Sequence, residues 1–193
     1  AAGEAEQAAG ETEAGPARPS LSPSRAGDFM ACPLLYRFRV IDHLPETPSP
    51  AATRGTVVHA VLERLFDLPA PERTLEQASL LVQPEWERLL EEEPELAALL
   101  APDRAAGSDV AEPAGLPGFL AGADGLLERY FELEDPTRFE PAERELRVEV
   151  ELDSGLLLRG FVDRLDVAPS GDLRVVDYKT GRAPGEGFEA KAM

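Results

Sequence analysis

The sequence predicts an α+β fold in which helices come first along the chain and an antiparallel β-meander follows. Apolar residues recur at helical spacing as far as about residue 133, and the period shortens to two in residues 145–152. A turn sequence, Pro169-Ser170-Gly171-Asp172, then separates two further strand-like segments. We therefore expect N-terminal helices packed on a sheet formed by the last third of the chain.

The N-terminal segment divides into a leader and a first helix. Residues 1–20 are polar and low in complexity, which predicts a disordered leader, and the remaining residues 21–193 are expected to form one domain. Ser22 is predicted to cap a helix that runs to about Val40, with Pro23 in its first turn. Pro33 is expected to kink or divide this helix.

The middle of the chain predicts further helices. Residues 53–66 carry an apolar stripe at helical spacing. Residues 67–135 are expected to form an acidic helical insertion, with helices over 74–101 and 118–133 and a loop over 102–117. Strands are then predicted over 145–152, 156–167 and 173–180.

Composition limits the class of protein. The chain has 193 residues, which suffices for one domain with a core, and its single cysteine excludes an internal disulfide framework. No apolar run approaches the roughly 18 residues that a membrane crossing needs, and the leader lacks the features of a signal peptide. A cytoplasmic protein that does not contact membranes is expected.

The net charge of −18 argues against a nucleic-acid partner, because phosphate contacts require Lys and Arg. However, eighteen acidic residues against five Arg lie in residues 60–135. If this acidic segment faces away from DNA, the objection is weakened. Only Lys179 and Lys191 are lysines, and Lys179 lies within the sequence Asp177-Tyr178-Lys179.

The last two predicted strands bring chemistry-bearing residues together. A hairpin that turns near Ser170 and Gly171 places Asp163 opposite Asp177 and Asp166 opposite Arg174, with Lys179 on the same face as Asp163 and Asp177. Facing carboxylates repel each other, so Asp163 and Asp177 need a compensating cation, which is Lys179, a bound metal or both. Mg²⁺ or Mn²⁺ prefers such oxygen ligands. A metal held there could activate water for phosphodiester hydrolysis, with Lys179 stabilising the transition state.

Blander interpretations of these residues stay open. The hairpin could be solvated, with ordinary surface ion pairs, and a register slip of one residue would put the two Asp on opposite faces. His59, in the predicted second helix, is a candidate metal ligand, but local evidence alone favours a packed helix histidine over a ligand. Gly55, one turn earlier, would allow another segment to approach closely.

Five motifs in order resemble the RecB-like exonucleases of the PD-(D/E)XK superfamily. They are Ser22-Pro23-Ser24-Arg25, Cys32-Pro33-Leu34-Leu35-Tyr36-Arg37-Phe38, Arg54-Gly55-x-x-x-His59, Gly160-Phe161-Val162-Asp163-Arg164-Leu165-Asp166 and Asp177-Tyr178-Lys179-Thr180-Gly181. The resemblance implies His59, Asp163, Asp177 and the carbonyl of Tyr178 as metal ligands. It implies Lys179 as the catalytic lysine.

The resemblance also implies a further Glu on the first strand. Glu145 is the first choice, because it begins the alternating strand on its polar face, and Glu143 is the second. Arg54 and Arg164 are candidates to contact DNA phosphates or to brace carboxylates, and they could equally be surface ion-pair partners. The implied protein is a Mg²⁺- or Mn²⁺-dependent deoxyribonuclease of DNA repair or recombination. Its implied substrate is a DNA single strand or duplex end, and a helicase subunit is a conceivable partner.

Two departures from the family pattern shape further expectations. The family continues after the Asp-x-Lys strand into a helix bearing Gln-x-x-x-Tyr, and residues 183–193 contain no Gln. We therefore expect a C-terminally truncated, incomplete core. Some relatives bind a 4Fe–4S cluster, which takes four thiolates, so Cys32 alone is expected to be a packing residue.

Two other functions are consistent with the sequence. The acidic charge and short C-terminus favour a catalytically inactive module that keeps the nuclease fold for DNA binding or scaffolding. The motif match could also be accidental, in a different metal-dependent hydrolase or interaction domain.

Overall fold

The computed structural model describes residues 20–100 and 115–181 and shows the predicted α+β class. The chain forms two compact units: Ala1–His43 with Val148–Gly160, and Leu44–Arg147 with Phe161–Met193. Apart from Ser20, the predicted leader lies outside the described residues. No helix in the described ranges combines the length and apolar character that a membrane crossing requires.

The first unit begins with short elements. Strand β1 covers Ser20–Leu21, helix α1 covers Pro23–Ala31 and helix α2 covers Pro33–Tyr36, which continues into a π-helical turn over Arg37–Ile41. The predicted cap is confirmed: the Ser22 side chain accepts a hydrogen bond from the backbone N–H of Arg25.

Pro33 divides the predicted first helix. Cys32 separates α1 from α2 with an extended backbone (φ −161°, ψ 111°), because a residue that precedes proline is disfavoured in the helical conformation. Cys32 is exposed, so the expectation that it packs in a core was wrong.

Three long helices form the centre of the second unit. They are α3 (Pro50–Leu65), α4 (Leu75–Glu92) and α5 (Gly115–Leu133), with 3₁₀ turns at Ala70–Glu72, Pro94–Leu100 and Pro136–Arg138. Helix α3 begins three residues before the predicted start because Ser49 caps it, accepting a hydrogen bond from the Ala52 N–H at 3.1 Å.

The apolar faces of these helices pack into one core. Its buried members include Val57, Val61 and Leu65 from α3, Ala78, Val82 and Trp86 from α4, and Phe119, Ala123 and Leu127 from α5. The buried carboxylate of Glu85 on α4 pairs with Arg64 at 2.5 Å and Arg88 at 2.8 Å. The acidic helices are thus built into the core around α3.

The strands form a mixed sheet rather than a pure antiparallel meander. Strands β2 (Glu143–Glu151), β3 (Leu157–Val167) and β4 (Leu173–Val176) follow in order, and β3 pairs with all three other strands. The parallel partner is the short β1, which pairs Ser20 with Leu157. The predicted β3–β4 register is confirmed, since Asp166 lies opposite Arg174.

Strand β4 ends at Val176, although the sequence predicts strand as far as residue 180. The backbone N–H of Tyr178 donates to the Asp163 carboxylate at 2.5 Å. The Asp163 side chain on β3 therefore accepts the hydrogen bond that the Tyr178 N–H would donate to a backbone carbonyl in a longer β3–β4 ladder.

Glu145 has an unusual backbone conformation for a strand residue. Its φ is 45°, in the left-handed region that favours Gly, Asn and Asp. This conformation interrupts the regular extended backbone of strand β2. A glutamate in this conformation carries a backbone cost of about 1–2 kcal/mol.

This strain gives a first prediction. Glu145→Asn and Glu145→Gln remove the same charge, but only Asn readily adopts positive φ. We expect the free energy of unfolding in urea to be about 1 kcal/mol higher for the Asn variant than for the Gln variant. At Glu143, which has ordinary strand geometry, the same pair of substitutions should show no advantage for Asn. Equal stabilities at position 145 would contradict the assigned strain.

Candidate metal centre

A cleft of about 560 Å³ opens in the second unit between α3, β2, β3 and the segment that follows β4. The charged and polar residues that line it include His59, Glu63, Glu145, Asp163, Lys179 and Thr180. Charged or ionisable residues therefore line the cleft from α3, from strands β2 and β3, and from the segment that follows β4.

Three of these residues lie close enough together that they could hold a metal ion. His59, Glu145 and Asp163 each offer one ligand atom, and the three atoms lie within 4.8 Å of one another. His59 Nδ1 lies 3.7 Å from Asp163 Oδ1, and all three residues are half-buried. This spacing is compatible with one shared cation.

Each ligand is positioned by a different local feature. His59 lies on α3 directly after Val57 and Val58, which are anchored in the core, so the helix fixes its direction. Glu145 depends on the left-handed backbone of β2. Asp163 is held on β3 by the Tyr178 N–H, which occupies its Oδ2 and leaves Oδ1 toward His59.

The cluster is short of positive charge. Burial raises the pKa of Glu145, and the negative charges of Asp163 and Glu63 raise it further, while His59 opposes them. A divalent cation would offset this repulsion. One imidazole nitrogen and two carboxylate oxygens fit Mn²⁺ or Mg²⁺, with the nitrogen favouring Mn²⁺.

Lys179 lines the same cleft and pairs with Asp177. Lys179 Nζ is 2.6 Å from Asp177 Oδ2 and 2.7 Å from Oδ1, and the lysine side chain is 79% exposed. The sequence predicts that the carboxylates of Asp163 and Asp177 converge. The structure places only Asp163 in the three-residue cluster and turns the Asp177 carboxylate to the lysine.

Tyr178, whose carbonyl is a predicted ligand, lies between Asp177 and Lys179 in the sequence and contacts two residues of the three-residue cluster. Its backbone N–H holds Asp163, and its ring meets the His59 ring edge-on at 5.9 Å. It lines the same cleft as Lys179.

The two arginines singled out as DNA contacts occupy different surroundings. Arg164 is fully buried and pairs with Glu134 and Asp166, so the suggested phosphate contact is corrected: this residue braces carboxylates. The Arg54 side chain lies so close to Gly122 of α5 that a Cβ at position 122 would collide with the Arg54 guanidinium group.

Sequence reasoning missed two features of the cleft. Glu63 lies one turn after His59 and reaches the same cleft, and the i, i+4 spacing of the two residues was a usable signal. The close approach expected at Gly55 is made by Thr180: a Cβ at position 55 would lie 2.7 Å from Thr180 Oγ1. No local signal identifies Thr180 as the partner.

Comparisons with known proteins agree with this geometry. The family model of the PD-(D/E)XK nuclease superfamily matches residues 20–193. The Gene 69 protein of Mycobacterium phage D29 is 30% identical over 183 aligned residues, which cover 89% of this chain and 66% of the phage protein. The Gene 69 protein of Mycobacterium phage L5 is 51% identical over 45 residues, or 23% of this chain and 15% of that protein. The chain thus spans just under two thirds of the D29 relative, and it belongs to the PD-(D/E)XK nuclease superfamily.

Proposed function

We propose that this chain is a Mg²⁺- or Mn²⁺-dependent nuclease domain that hydrolyses phosphodiester bonds in DNA. The observation that carries the proposal is the meeting of His59, Glu145 and Asp163 in one cleft with Lys179 on its wall. A divalent ion in such a site lowers the pKa of bound water and neutralises charge that develops on phosphate.

Residues of the chain supply cation binding and stabilisation of the transition state. His59, Glu145 and Asp163 hold the cation, and the predicted further ligands are the Asp177 carboxylate and the Tyr178 carbonyl. Lys179 is proposed as the catalytic lysine, because it lines the cleft and an ammonium group there can stabilise the phosphate in the transition state. Asp177, now 2.6 Å from that ammonium, also restrains it.

The finer assignment is a RecB-type exonuclease of DNA repair or recombination that acts on a single strand or duplex end. Its support is the ordered set of five motifs together with superfamily membership. Because the chain spans 66% of the D29 relative, the substrate and partners of the whole protein belong to this proposal.

Metal binding can be tested with matched histidine variants. His59→Asn removes the nitrogen ligand, and we expect Mn²⁺ affinity, measured by calorimetry, to fall at least about tenfold. Wild-type protein should bind Mn²⁺ more tightly than Mg²⁺, because imidazole suits the softer ion. His43→Asn changes the other histidine of the chain and should leave the affinity unchanged. Equal effects of both variants would overturn the ligand assignment.

Catalysis can be tested on end-labelled single-stranded and duplex DNA. Lys179→Ala and Asp177→Ala should each lower the cleavage rate by about 10²-fold or more, and EDTA should abolish cleavage. Lys179→Ala should keep Mn²⁺ affinity, because lysine is not a ligand. Lys191→Ala and Asp172→Ala serve as controls and should retain wild-type rates.

Metal-dependent cleavage that survives both Lys179→Ala and Asp177→Ala would refute the site assignment. Tight Mn²⁺ binding without cleavage by the wild-type chain would favour the alternative, a nuclease-fold module for DNA binding or scaffolding.

The approach of Thr180 to Gly55 predicts a rescue. Gly55→Ala places a Cβ against Thr180 Oγ1 and should displace the segment that carries Lys179, so we expect a lower cleavage rate without loss of helix stability. Adding Thr180→Ala removes the colliding oxygen and should restore much of the rate. As a control, Thr180→Ala alone should be close to wild type. A double variant no faster than Gly55→Ala would contradict this explanation.

A further inference from the structure

The side chain of Arg164 is enclosed by two carboxylates. Its Nη1 and Nη2 donate to the two carboxylate oxygens of Glu134 at 2.8 and 2.9 Å, and its Nε donates to Asp166 Oδ1 at 3.0 Å. Burial acts to lower the pKa of Arg164, but the hydrogen bonds to Glu134 raise it overall. The guanidinium group therefore stays charged and fixed in orientation.

The same guanidinium group holds the side chain of Tyr178. Its Nη1 donates to Tyr178 Oη at 2.7 Å. The group lies 4.6 Å from the centre of the Phe139 ring, 5.6 Å from that of Tyr178 and 5.7 Å from that of Phe66. Tyr130 meets the Tyr178 ring edge-on at 5.8 Å. Tyr178 is thus restrained through both its hydroxyl and its ring.

The other side of Tyr178 touches two members of the metal cluster. Its backbone N–H donates to Asp163 Oδ2 at 2.5 Å, and its ring packs edge-on against the His59 ring. It is also covalently flanked by Asp177 and Lys179. A shift of the Tyr178 backbone would disturb the hydrogen bond to Asp163, and a shift of its ring would change the packing of the His59 imidazole.

We propose that Arg164 is a positioning residue of the metal centre: held by Glu134 and Asp166, it fixes Tyr178, and Tyr178 orients Asp163 and His59. This inference rests on the proposed metal-binding function. It gives a buried arginine, which touches neither DNA nor metal, control over metal affinity.

The chemistry of the guanidinium group explains why arginine is required. A planar group with five N–H donors can hold two carboxylates and a phenol at fixed angles at once, whereas the ammonium group of lysine cannot reproduce that geometry. Buried ion pairs add little net stability compared with apolar packing, so orientation is the more plausible gain. Partners that orient metal ligands typically change metal affinity by about 10–100-fold when they are altered.

Arg73 provides a matched control in the same unit. It is 3% exposed, lies 2.6 Å from Glu140 and donates to the carbonyl oxygen of Phe139 at 3.0 Å. Its guanidinium group stacks 5.1 Å from the Phe66 ring, the ring that also contacts Arg164. Replacing Arg73 therefore disturbs a comparable buried charge whose partners lie outside the metal cluster.

The experiment compares Arg164→Lys, Arg73→Lys and Tyr178→Phe with the wild-type chain. Mn²⁺ affinity is measured by calorimetry at a temperature where all four proteins are folded. We expect Arg164→Lys to weaken binding about tenfold, Tyr178→Phe to weaken it less, and Arg73→Lys to stay within about twofold of wild type. Because Arg164 acts through the Tyr178 hydroxyl, the losses in the double variant Arg164→Lys/Tyr178→Phe should not add.

A second readout needs no metal. Hydrogen exchange of the Tyr178 amide reports its hydrogen bond to Asp163, and Arg164→Lys should accelerate this exchange about tenfold more than Arg73→Lys does. Equal effects of the two lysine variants on affinity and exchange would overturn the positioning role. Faster exchange in Arg164→Lys with no Mn²⁺ binding by wild type would refute the proposed metal function and confine Arg164 to orienting Asp163. No selective change in exchange, with normal Mn²⁺ binding, would refute the positioning role alone.

Discussion

The burial of one charge constrains much of the second unit. A guanidinium group taken out of water must meet carboxylates, and Arg164 on β3 pairs with Glu134, the residue directly after α5, and with Asp166 on its own strand. This requirement fixes the strand against the helix that packs on α3. Asp163 directly precedes Arg164 on β3, so its backbone position is fixed as well. The positions of the residues that line the cleft therefore depend on the same packing that forms the core.

Features set by local chemistry could be predicted from the sequence. The Ser22 cap follows from the preference of a hydroxyl for a helix start, and the Asp166–Arg174 pairing follows from turn chemistry and alternation. Alternation also favoured Glu145 over Glu143, and the structure brings Glu145 to His59 and Asp163. The roles of these three residues as ligands stay predictions.

Features set by contacts distant in sequence could not be predicted. Arg164 is charged and lies between Asp163 and Leu165 on an alternating strand, so nothing local distinguishes it from a surface arginine. It pairs with Glu134, thirty positions away. Strand β4 stops early because its next donor meets a side chain of β3. Cys32 is exposed although cysteine is usually buried, because the helices around it break at Pro33.

The left-handed backbone of Glu145 has a consequence for the evolution of this fold. Substitution by Gly or Asn would relax the strand and raise stability while removing a carboxylate from the cluster. Random drift without selection for activity, or laboratory selection for heat resistance, would therefore tend to erase the acid first. A homologue that carries Gly or Asn at this place in the strand would mark a lineage that kept the scaffold after abandoning the chemistry.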